Sequence, residues 1–277
     1  MVITKRDLEL FKKLSNYGML STKQVADTVF NSVALATILR RLRALEKDFF
    51  IKRIVGLESY ELLWVLTTKG ADIANVVVPK RHWSKNMLEH DYKLVSLRLA
   101  LERSGIAHSW IPEHEIRSMI FKKYGLRNAK EKVIPDGLMG IKVNGKMESV
   151  AIELELHFKN EKRYKETIRR YQSMHDTYAV WFISPKKSIL NQVYRLWMNS
   201  REHFAPIKLQ VSFLEEVLLN PSKARLMGKE CAHIEDVWKC KGAHPSAQRV
   251  SGENEKKSDV EESLRAENHT QILAPAA

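Results

Sequence analysis

Cysteine is nearly absent from this sequence, with two residues in 277. So few cysteines exclude a disulfide-based fold and favour a reducing compartment. Apolar runs are short as well, because none approaches the roughly 18 residues that a membrane-spanning helix needs. Residues 1–11 also have no apolar core of the kind found in signal peptides. We therefore expect a cytoplasmic protein without membrane insertion.

Acidic residues are scarce relative to basic ones. The chain has 33 Asp and Glu against 46 Lys and Arg, so its net charge is +13. Such an excess attracts polyanions, among which DNA and RNA are the commonest. A soluble basic protein with no polyanion partner would have the same composition. The length is sufficient for two small domains, each with its own core.

The pattern of residues 1–79 predicts a winged helix-turn-helix domain. Helices are predicted after the N-caps Thr4 and Ser21, and a third helix is predicted from Asn31 or Ser32 to about Lys47. Two strand-like runs, FFIKRIV and ELLWVLT, follow on either side of a turn-prone GLES segment and suit a β-wing. The segment TTKGADIA begins a further helix.

The third helix is the one that a helix-turn-helix places in the DNA major groove. Together with the wing it offers the candidate DNA-binding side chains Arg40, Arg41, Arg43, Lys52 and Arg53. Arginine suits both phosphate and guanine contacts. The alternative is a winged helix used for protein contacts, with these arginines as a solvated face. The excess positive charge of the chain favours DNA.

Residues 80–241 alternate between helical and strand patterns. An amphipathic helix is predicted over 87–104, then strands at HSWIPEHEIRS, VIPDGLMGIKV and ESVAIELELHF, a helix over 160–175 and a strand at TYAVWFISP. The second and third strands flank Asn144-Gly145, a strong hairpin signal. A basic loop is predicted before the second strand, with Lys122, Lys123, Arg127, Lys130 and Lys132. The polar residues 242–277 predict a disordered tail.

Three carboxylates lie in the second and third of these strands. Glu153 and Glu155 are two residues apart, so they project from one face of a strand. Asp136 begins the neighbouring strand. Buried carboxylates side by side require a neutralising cation, and Mg²⁺ or Mn²⁺ binds carboxylate oxygens readily. The pattern predicts a metal site formed by Asp136, Glu153 and Glu155 that activates water for phosphodiester cleavage. Lys159, four residues after Glu155, is the candidate basic partner.

These residues resemble the PD-(D/E)XK nuclease superfamily. The resemblance implies an α/β fold with a restriction-endonuclease-like core of helix, three strands, helix and strand, an order that the predicted elements follow. The superfamily lysine is expected two residues after the glutamate, where this chain has Glu155. Lys159 is our candidate for the displaced lysine.

The segments LEHDYKL, WIPEHEIRS, IPDG and AIELELHFKNEKRY, preceded by a winged helix, resemble the replication-relaxation family of plasmid proteins. That family includes the MOBC relaxases, and the resemblance spans roughly residues 5–185. It implies metal-dependent nicking of double-stranded plasmid DNA at a transfer origin, with an accessory mobilisation protein and a coupling protein as partners. The positions matched as catalytic are His90, Glu113, Asp136, Glu153, Glu155 and Lys159. Arg163 and Tyr164 also match, as residues that brace the helix or contact phosphate, and Arg163 is a further candidate DNA-binding residue.

Alternatives remain for several of these positions. His90 could be structural rather than catalytic, and Glu113 could be an exposed strand charge. Tyr164 and Tyr171 are seven residues apart on one helix face, which favours packing against the sheet over a nucleophilic role. At the level of function, the alternatives are a general nuclease of a mobile element and a winged-helix replication or transcription factor with an inactive nuclease fold.

Overall fold

The computed structural model describes residues 1–55, 62–78, 84–174, 176–200, 207–227 and 232–238. The chain forms two compact units, Met1–Ser96 and Leu97–Ala277. Among the described residues, no helix is both long and apolar enough to cross a membrane. The predicted tail at 242–277 and the GLES turn lie outside the described residues.

The first unit combines helices with a small antiparallel sheet in the order β1-β3-β2. Its elements are α1 (Lys5–Tyr17), β1 (Leu20–Ser21), α2 (Thr22–Thr28), α3 (Leu35–Lys47), β2 (Ile51–Ile54), β3 (Leu63–Leu66) and α4 (Thr68–Ala74). β2 and β3 pair from Ile51 opposite Leu66 to Ile54 opposite Leu63. The predicted succession of three helices, a strand pair and a fourth helix is confirmed.

Local capping explains where the first helices begin. Thr4 and Ser21 each accept a hydrogen bond from the third residue of the helix that follows, and the third residue bonds back to the cap. The third helix begins later than expected, at Leu35. Ser32 has a φ of 67°, in the left-handed region that a helix cannot include. The prediction of a start at Asn31 or Ser32 was therefore wrong by three or four residues.

The second unit is a mixed α/β fold built on one five-stranded sheet. Its elements are the end of α5 (Lys85–Arg103), β4 (Ser109–Pro112), α6 (Glu113–Ala129), β5 (Gly137–Val143), β6 (Lys146–Leu154), α7 (Glu161–Gln172), β7 (Ala179–Ser184), α8 (Lys187–Ser200), β8 (Lys208–Phe213), α9 (Leu214–Leu219), β9 (Arg225–Leu226), β10 (Ala232–His233) and α10 (Ile234–Trp238).

The sheet has the strand order β4-β5-β6-β7-β8. β4, β5 and β6 pair antiparallel, whereas β7 and β8 add in parallel. The tight β5–β6 connection uses Asn144 and Gly145 at φ 52° and 82°, as the hairpin signal predicted. α7 forms the crossover between the parallel strands β6 and β7.

One predicted element differs from the structure. The expected strand HSWIPEHEIRS ends at Pro112, and its remainder forms the first part of α6. The expected basic loop is also largely helical. Glu113 and Glu115 in the first turn favour a helix here, because acidic side chains stabilise a helix N-terminus. α6 is therefore an additional helical element between the first two strands of the predicted order. It consists of two helical segments that meet at a kink, where Gly125 has φ 70° and ψ 171°.

The two faces of the sheet bury different side chains. One face carries Leu138, Ala151, Val180 and Val211, and packs against residues of α6, α7 and α8. Adjacent-strand partners share a face, and Glu153 is in register with Phe182, which also belongs to this cluster. The sequence therefore places the Glu153 carboxylate beside the apolar side chains of this core.

Candidate functional site

Glu153 is the penultimate residue of β6, and only 8% of it is exposed. The hydroxyl of Tyr171, from α7, donates a hydrogen bond to its Oε1. Burial, together with the nearby charge of Asp136, raises the pKa of Glu153 to about 8, although the bond from Tyr171 and the charge of Lys159 oppose this shift. A proton or a cation is therefore needed to neutralise this carboxylate near neutral pH.

Asp136 immediately precedes β5. Its backbone N–H donates to the carbonyl of Ile152 at 3.0 Å, and its carboxylate accepts the backbone N–H of Leu154 at 2.7 Å. Gly137 pairs with Ile152, so the antiparallel register continued by one residue brings Asp136 opposite Glu153. The register thus explains why the two carboxylates repel each other.

Glu155 follows the last residue of β6 and is 3% exposed. Its backbone N–H donates to the carbonyl of Ile183 at 2.9 Å, which extends the pairing with β7 by one step. Lys159 Nζ lies 2.5 Å from Glu155 Oε1. This buried acid is therefore compensated by a lysine whose side chain is one-third exposed.

Tyr164 lies on the same side of α7 as Tyr171. Its hydroxyl oxygen accepts the backbone N–H of Lys159 at 3.4 Å. Burial and the charge of Glu155 raise its pKa to about 12, and burial followed by the charge of Glu153 raises the pKa of Tyr171 well above its usual value. Both hydroxyls stay protonated at neutral pH. The expectation that both tyrosines pack against the sheet is confirmed.

The donor chemistry of Asp136, Glu153 and Glu155 fits a hard divalent cation, because all three supply carboxylate oxygens. Each carboxylate also has a protein partner: the Leu154 N–H, the Tyr171 hydroxyl and Lys159 respectively. Within the described ranges, no group of three or more His, Cys, Asp or Glu residues is arranged to hold a metal ion. Metal binding would therefore require side-chain rearrangement, and the metal site remains a prediction.

The other predicted site residues, which are Glu113 and His90 as catalytic candidates and Arg163 as a DNA-binding candidate, are divided between the two units. Glu113 begins α6 directly after Pro112, which pairs with Gly137 beside Asp136. Its side chain is one-third exposed and bonds to Arg117, so it is a helix residue and not an exposed strand charge. Arg163 is exposed in the first turn of α7. His90 lies on α5 within the first unit, with Nδ1 3.4 Å from Asp91 Oδ1.

The predicted DNA-binding side chains of the first unit divide into two groups. Arg40, Arg43 and Lys52 are exposed, and Arg53 is exposed with Nε 3.3 Å from Glu46 Oε1.

Arg41 is engaged within the fold. Its Nε donates to Asp7 Oδ1 at 2.9 Å, and its Nη2 bonds to both the other oxygen of Asp7 and the carbonyl of Val2. Hydrogen bonds that join α3 to α1 therefore occupy the Arg41 guanidinium.

The sequence reasoning missed the hydrogen bond between Tyr171 and Glu153. The two residues are 18 positions apart on different elements, so no local spacing rule pairs them. The sequence did offer one indication of this bond, which is the position of Tyr171 on the sheet-facing side of the predicted helix. A tyrosine packed on the sheet face that carries a carboxylate must place its hydroxyl near a polar partner.

No protein-family model and no curated protein matches this chain. Among solved structures, it is similar to a mutant MarR from E. coli, with 21% identity and a TM-score of 0.24, over 26% of this chain and 53% of that one. It is also similar to the restriction endonuclease FokI, with 15% identity and a TM-score of 0.26, over 77% of this chain and 42% of that one. Likenesses this weak assign no function.

Proposed function

We propose that the protein is a metal-dependent DNA endonuclease of the MOBC relaxase type. It would nick double-stranded plasmid DNA at a transfer origin and so initiate conjugative mobilisation or replication. An accessory mobilisation protein and a coupling protein would be its partners. The restriction-endonuclease-like arrangement of its second unit is part of this proposal.

The observation that carries the proposal is the placement of Asp136, Glu153 and Glu155. They are brought to one edge of the mixed sheet by the β5–β6 register and the end of β6. Glu153 is buried beside apolar core residues such as Phe182, where a charged carboxylate without a cation is costly. A sheet stabilised only by packing has no need of an acid at this position, whereas a cation-dependent site does.

These three carboxylates would hold Mg²⁺ or Mn²⁺, which neutralises charge on the phosphodiester and activates water. The protein's own residues then have separate tasks. Tyr171 orients Glu153, and the Leu154 N–H orients Asp136. Lys159, held by Glu155 and partly exposed, would stabilise the negative charge that develops on the cleaved phosphate. Glu113 and His90 are further candidates for proton transfer or positioning.

The first unit supplies the duplex contacts in this proposal. Arg40 and Arg43 on α3 and Lys52 and Arg53 on β2 are exposed and suit phosphate and base contacts. Arg163 would contact phosphate at the start of α7. Arg41 contributes indirectly, because its bonds to Asp7 fix the orientation of α3.

The test is nicking of supercoiled plasmid that carries the cognate origin, with Mg²⁺ or Mn²⁺. We expect site-specific open circles, and about a 100- to 1,000-fold lower rate for Asp136→Asn or Glu153→Gln. Glu148→Gln is the matched control, because it removes an acid from the opposite end of the same strand. Indiscriminate linear product would indicate a general nuclease instead.

A second candidate function is favoured by one specific observation. Glu153 and Glu155 both have partners within the protein, Tyr171 and Lys159. Such pairing is what a winged-helix replication or transcription factor with an inactive nuclease fold would retain. Tight binding to origin DNA without any cleavage, and no calorimetric signal with Mn²⁺, would establish this function and reject both enzymatic ones.

A further inference from the structure

The chain between β4 and β5 is unusually basic. Residues 117–132 contain one acid, Glu131, and six cations: Arg117, Lys122, Lys123, Arg127, Lys130 and Lys132. Most of this segment belongs to α6, the helix that the predicted order of elements did not include. No role in the proposed cleavage chemistry accounts for this charge.

α6 is fixed to the core by its other side. Ile116, Ile120 and Ala129 are buried in the core on one face of the sheet, where α6 contacts β4 and β5. Arg170 from α7 donates to the carbonyl of Lys130 at 3.4 Å, so the end of the segment is attached as well. The outward side chains are therefore presented by an anchored element.

The outward side chains are both basic and apolar. Phe121 is 37% exposed and Leu126 is 75% exposed. Exposed cations accompany them, and we define the basic α6 surface as Phe121, Lys122, Leu126, Arg127, Lys130 and Lys132. Tyr124 lies beneath two lysines, with Lys132 Nζ 4.6 Å from its ring centre. A nucleic acid is complementary to both features. Its phosphates would bind the cations, and its base faces would stack on the exposed apolar side chains.

The segment also begins and ends beside the carboxylates. Pro112, the residue before α6, pairs with Gly137, and the chain returns to the sheet at Asp136. Lys132, the last residue of the basic α6 surface, is therefore only four residues of chain from Asp136. A duplex hides its base faces within the stack, whereas a single strand exposes them to apolar side chains.

We propose that the basic α6 surface binds single-stranded DNA next to the cleavage site. Lys122, Arg127, Lys130 and Lys132 contact the backbone, and Phe121 and Leu126 contact exposed bases. The placement of the strand rests on the proposed DNA-cleaving function. Binding itself does not, so it is measured without divalent metal, where cleavage cannot occur.

The experiment measures fluorescence anisotropy of a labelled oligothymidine and of a labelled duplex with the full-length protein in EDTA over a salt series. For the oligothymidine, Lys122→Gln/Arg127→Gln is expected to reduce the slope of log affinity against log salt by about 1.4, or about 0.7 per lost phosphate contact. Phe121→Ala/Leu126→Ala is expected to weaken binding about 5- to 100-fold. Duplex affinity should change less than threefold.

Matched controls separate the two binding surfaces. Lys146→Gln/Lys187→Gln removes two exposed lysines elsewhere in the second unit and should leave both affinities unchanged. Arg40→Gln/Arg43→Gln should weaken duplex binding alone.

Unchanged oligothymidine affinity in both α6 variants, with an unchanged circular dichroism spectrum, would overturn the inference. Equal losses for the two DNA forms would overturn the single-strand assignment and indicate a duplex surface. Loss of nicking alone would concern only the proposed function.

Discussion

The two units each bury a carboxylate, but they compensate it in opposite ways. Asp7 in α1 is 1% exposed and Glu153 in β6 is 8% exposed. Burial alone would raise the pKa of Asp7, but hydrogen bonds from Arg41 and Thr4 outweigh it and lower that pKa. Burial and the nearby charge of Asp136 raise the pKa of Glu153 to about 8, because the neutral Tyr171 hydroxyl and the charge of Lys159 offset only part of this shift.

In our proposal, this difference separates a structural acid, Asp7, from a functional one, Glu153. Asp7 is charged and paired, so its charge stabilises the contact between α1 and α3. Glu153 holds a proton near neutral pH unless a cation replaces it. Strongly perturbed acids of the second kind occur often at functional sites, and the proposed cation would neutralise this one.

The largest expected change in stability comes from breaking the ion pair between Asp7 and Arg41. Arg41→Gln leaves the Asp7 carboxylate buried with only its Thr4 bonds, and we expect the free energy of unfolding to fall by about 2–3 kcal/mol. Because the folded pKa of Asp7 is lowered, its stabilising contribution is present above the ordinary carboxyl pKa and is lost as the pH falls through the folded value. Urea unfolding at neutral and acidic pH measures both effects.

Arg40→Gln is the matched control, since Arg40 is the exposed neighbour on the same helix. It should change stability by less than about 0.5 kcal/mol. The double variant Asp7→Asn/Arg41→Gln should recover part of the loss, because no charge remains buried. Equal destabilisation by Arg40→Gln and Arg41→Gln would remove the basis for treating Arg41 as structural.

The next substitution, Glu153→Gln, is expected to stabilise the protein rather than destabilise it. Glu153→Gln cannot ionise, so without divalent metal it should be more stable than the unsubstituted protein at about pH 8, by about 1–3 kcal/mol. The folded pKa of Glu153 is raised, so its contribution is present below the ordinary carboxyl pKa and is lost as the pH rises through about 8. The advantage of the variant should therefore disappear near pH 4. Chemical unfolding in EDTA across this range measures it.

Adding Mn²⁺ sharpens the same comparison. A metal at 100 times its dissociation constant stabilises the folded state by about 2.7 kcal/mol. The unsubstituted protein should gain this stability, and Glu153→Gln should gain much less. The difference in their free energies of unfolding should therefore become smaller or change sign. Glu148→Gln should behave like the unsubstituted protein in both conditions. A metal-induced stabilisation that is equal in all three proteins would locate the metal away from Glu153.

The parts predicted well from sequence are those that local rules determine. Thr4 and Ser21 form capping boxes within four residues of chain, and Asn144-Gly145 forms its hairpin turn without help from distant residues. Glu155 and Lys159, which are four residues apart in the segment between β6 and α7, likewise form the expected pair. In each case the determining residues are close together in the chain.

The parts that were missed depend on contacts between distant residues. The segment around Pro112 has isoleucines at 111, 116 and 120, a spacing that fits neither a strand nor a helix clearly. Ile116 and Ile120 are buried where α6 packs on β4 and β5, a contact that the local pattern does not predict. Arg40, Arg41 and Arg43 look alike in sequence, and only the packing of α1 assigns Arg41 to Asp7. Tyr171 reaches Glu153 only because α7 crosses that sheet face.

The smallest effect is expected from removing the Tyr171 hydroxyl. This variant tests how a neutral donor to Glu153 differs from the charged Arg41 that pairs with Asp7. Tyr171→Phe removes the hydroxyl bond to Glu153 and keeps the ring, which packs edge-on to Phe182 at 6.3 Å. We expect a loss of about 1 kcal/mol at neutral pH. Because the hydroxyl bond lowers the pKa of Glu153, its loss should raise that pKa further, as carboxyl-selective NMR titration would measure.

Tyr164→Phe is the control, because its hydroxyl accepts the backbone N–H of Lys159 and does not bond to Glu153. It should leave the titration of Glu153 almost unchanged. A guanidinium in place of the hydroxyl would fix the charge on Glu153 permanently, as Arg41 does for Asp7. The tyrosine instead orients the carboxylate while leaving its charge to be set by a proton or a cation. Identical Glu153 titrations in Tyr171→Phe and Tyr164→Phe would mean that Tyr171 contributes packing alone.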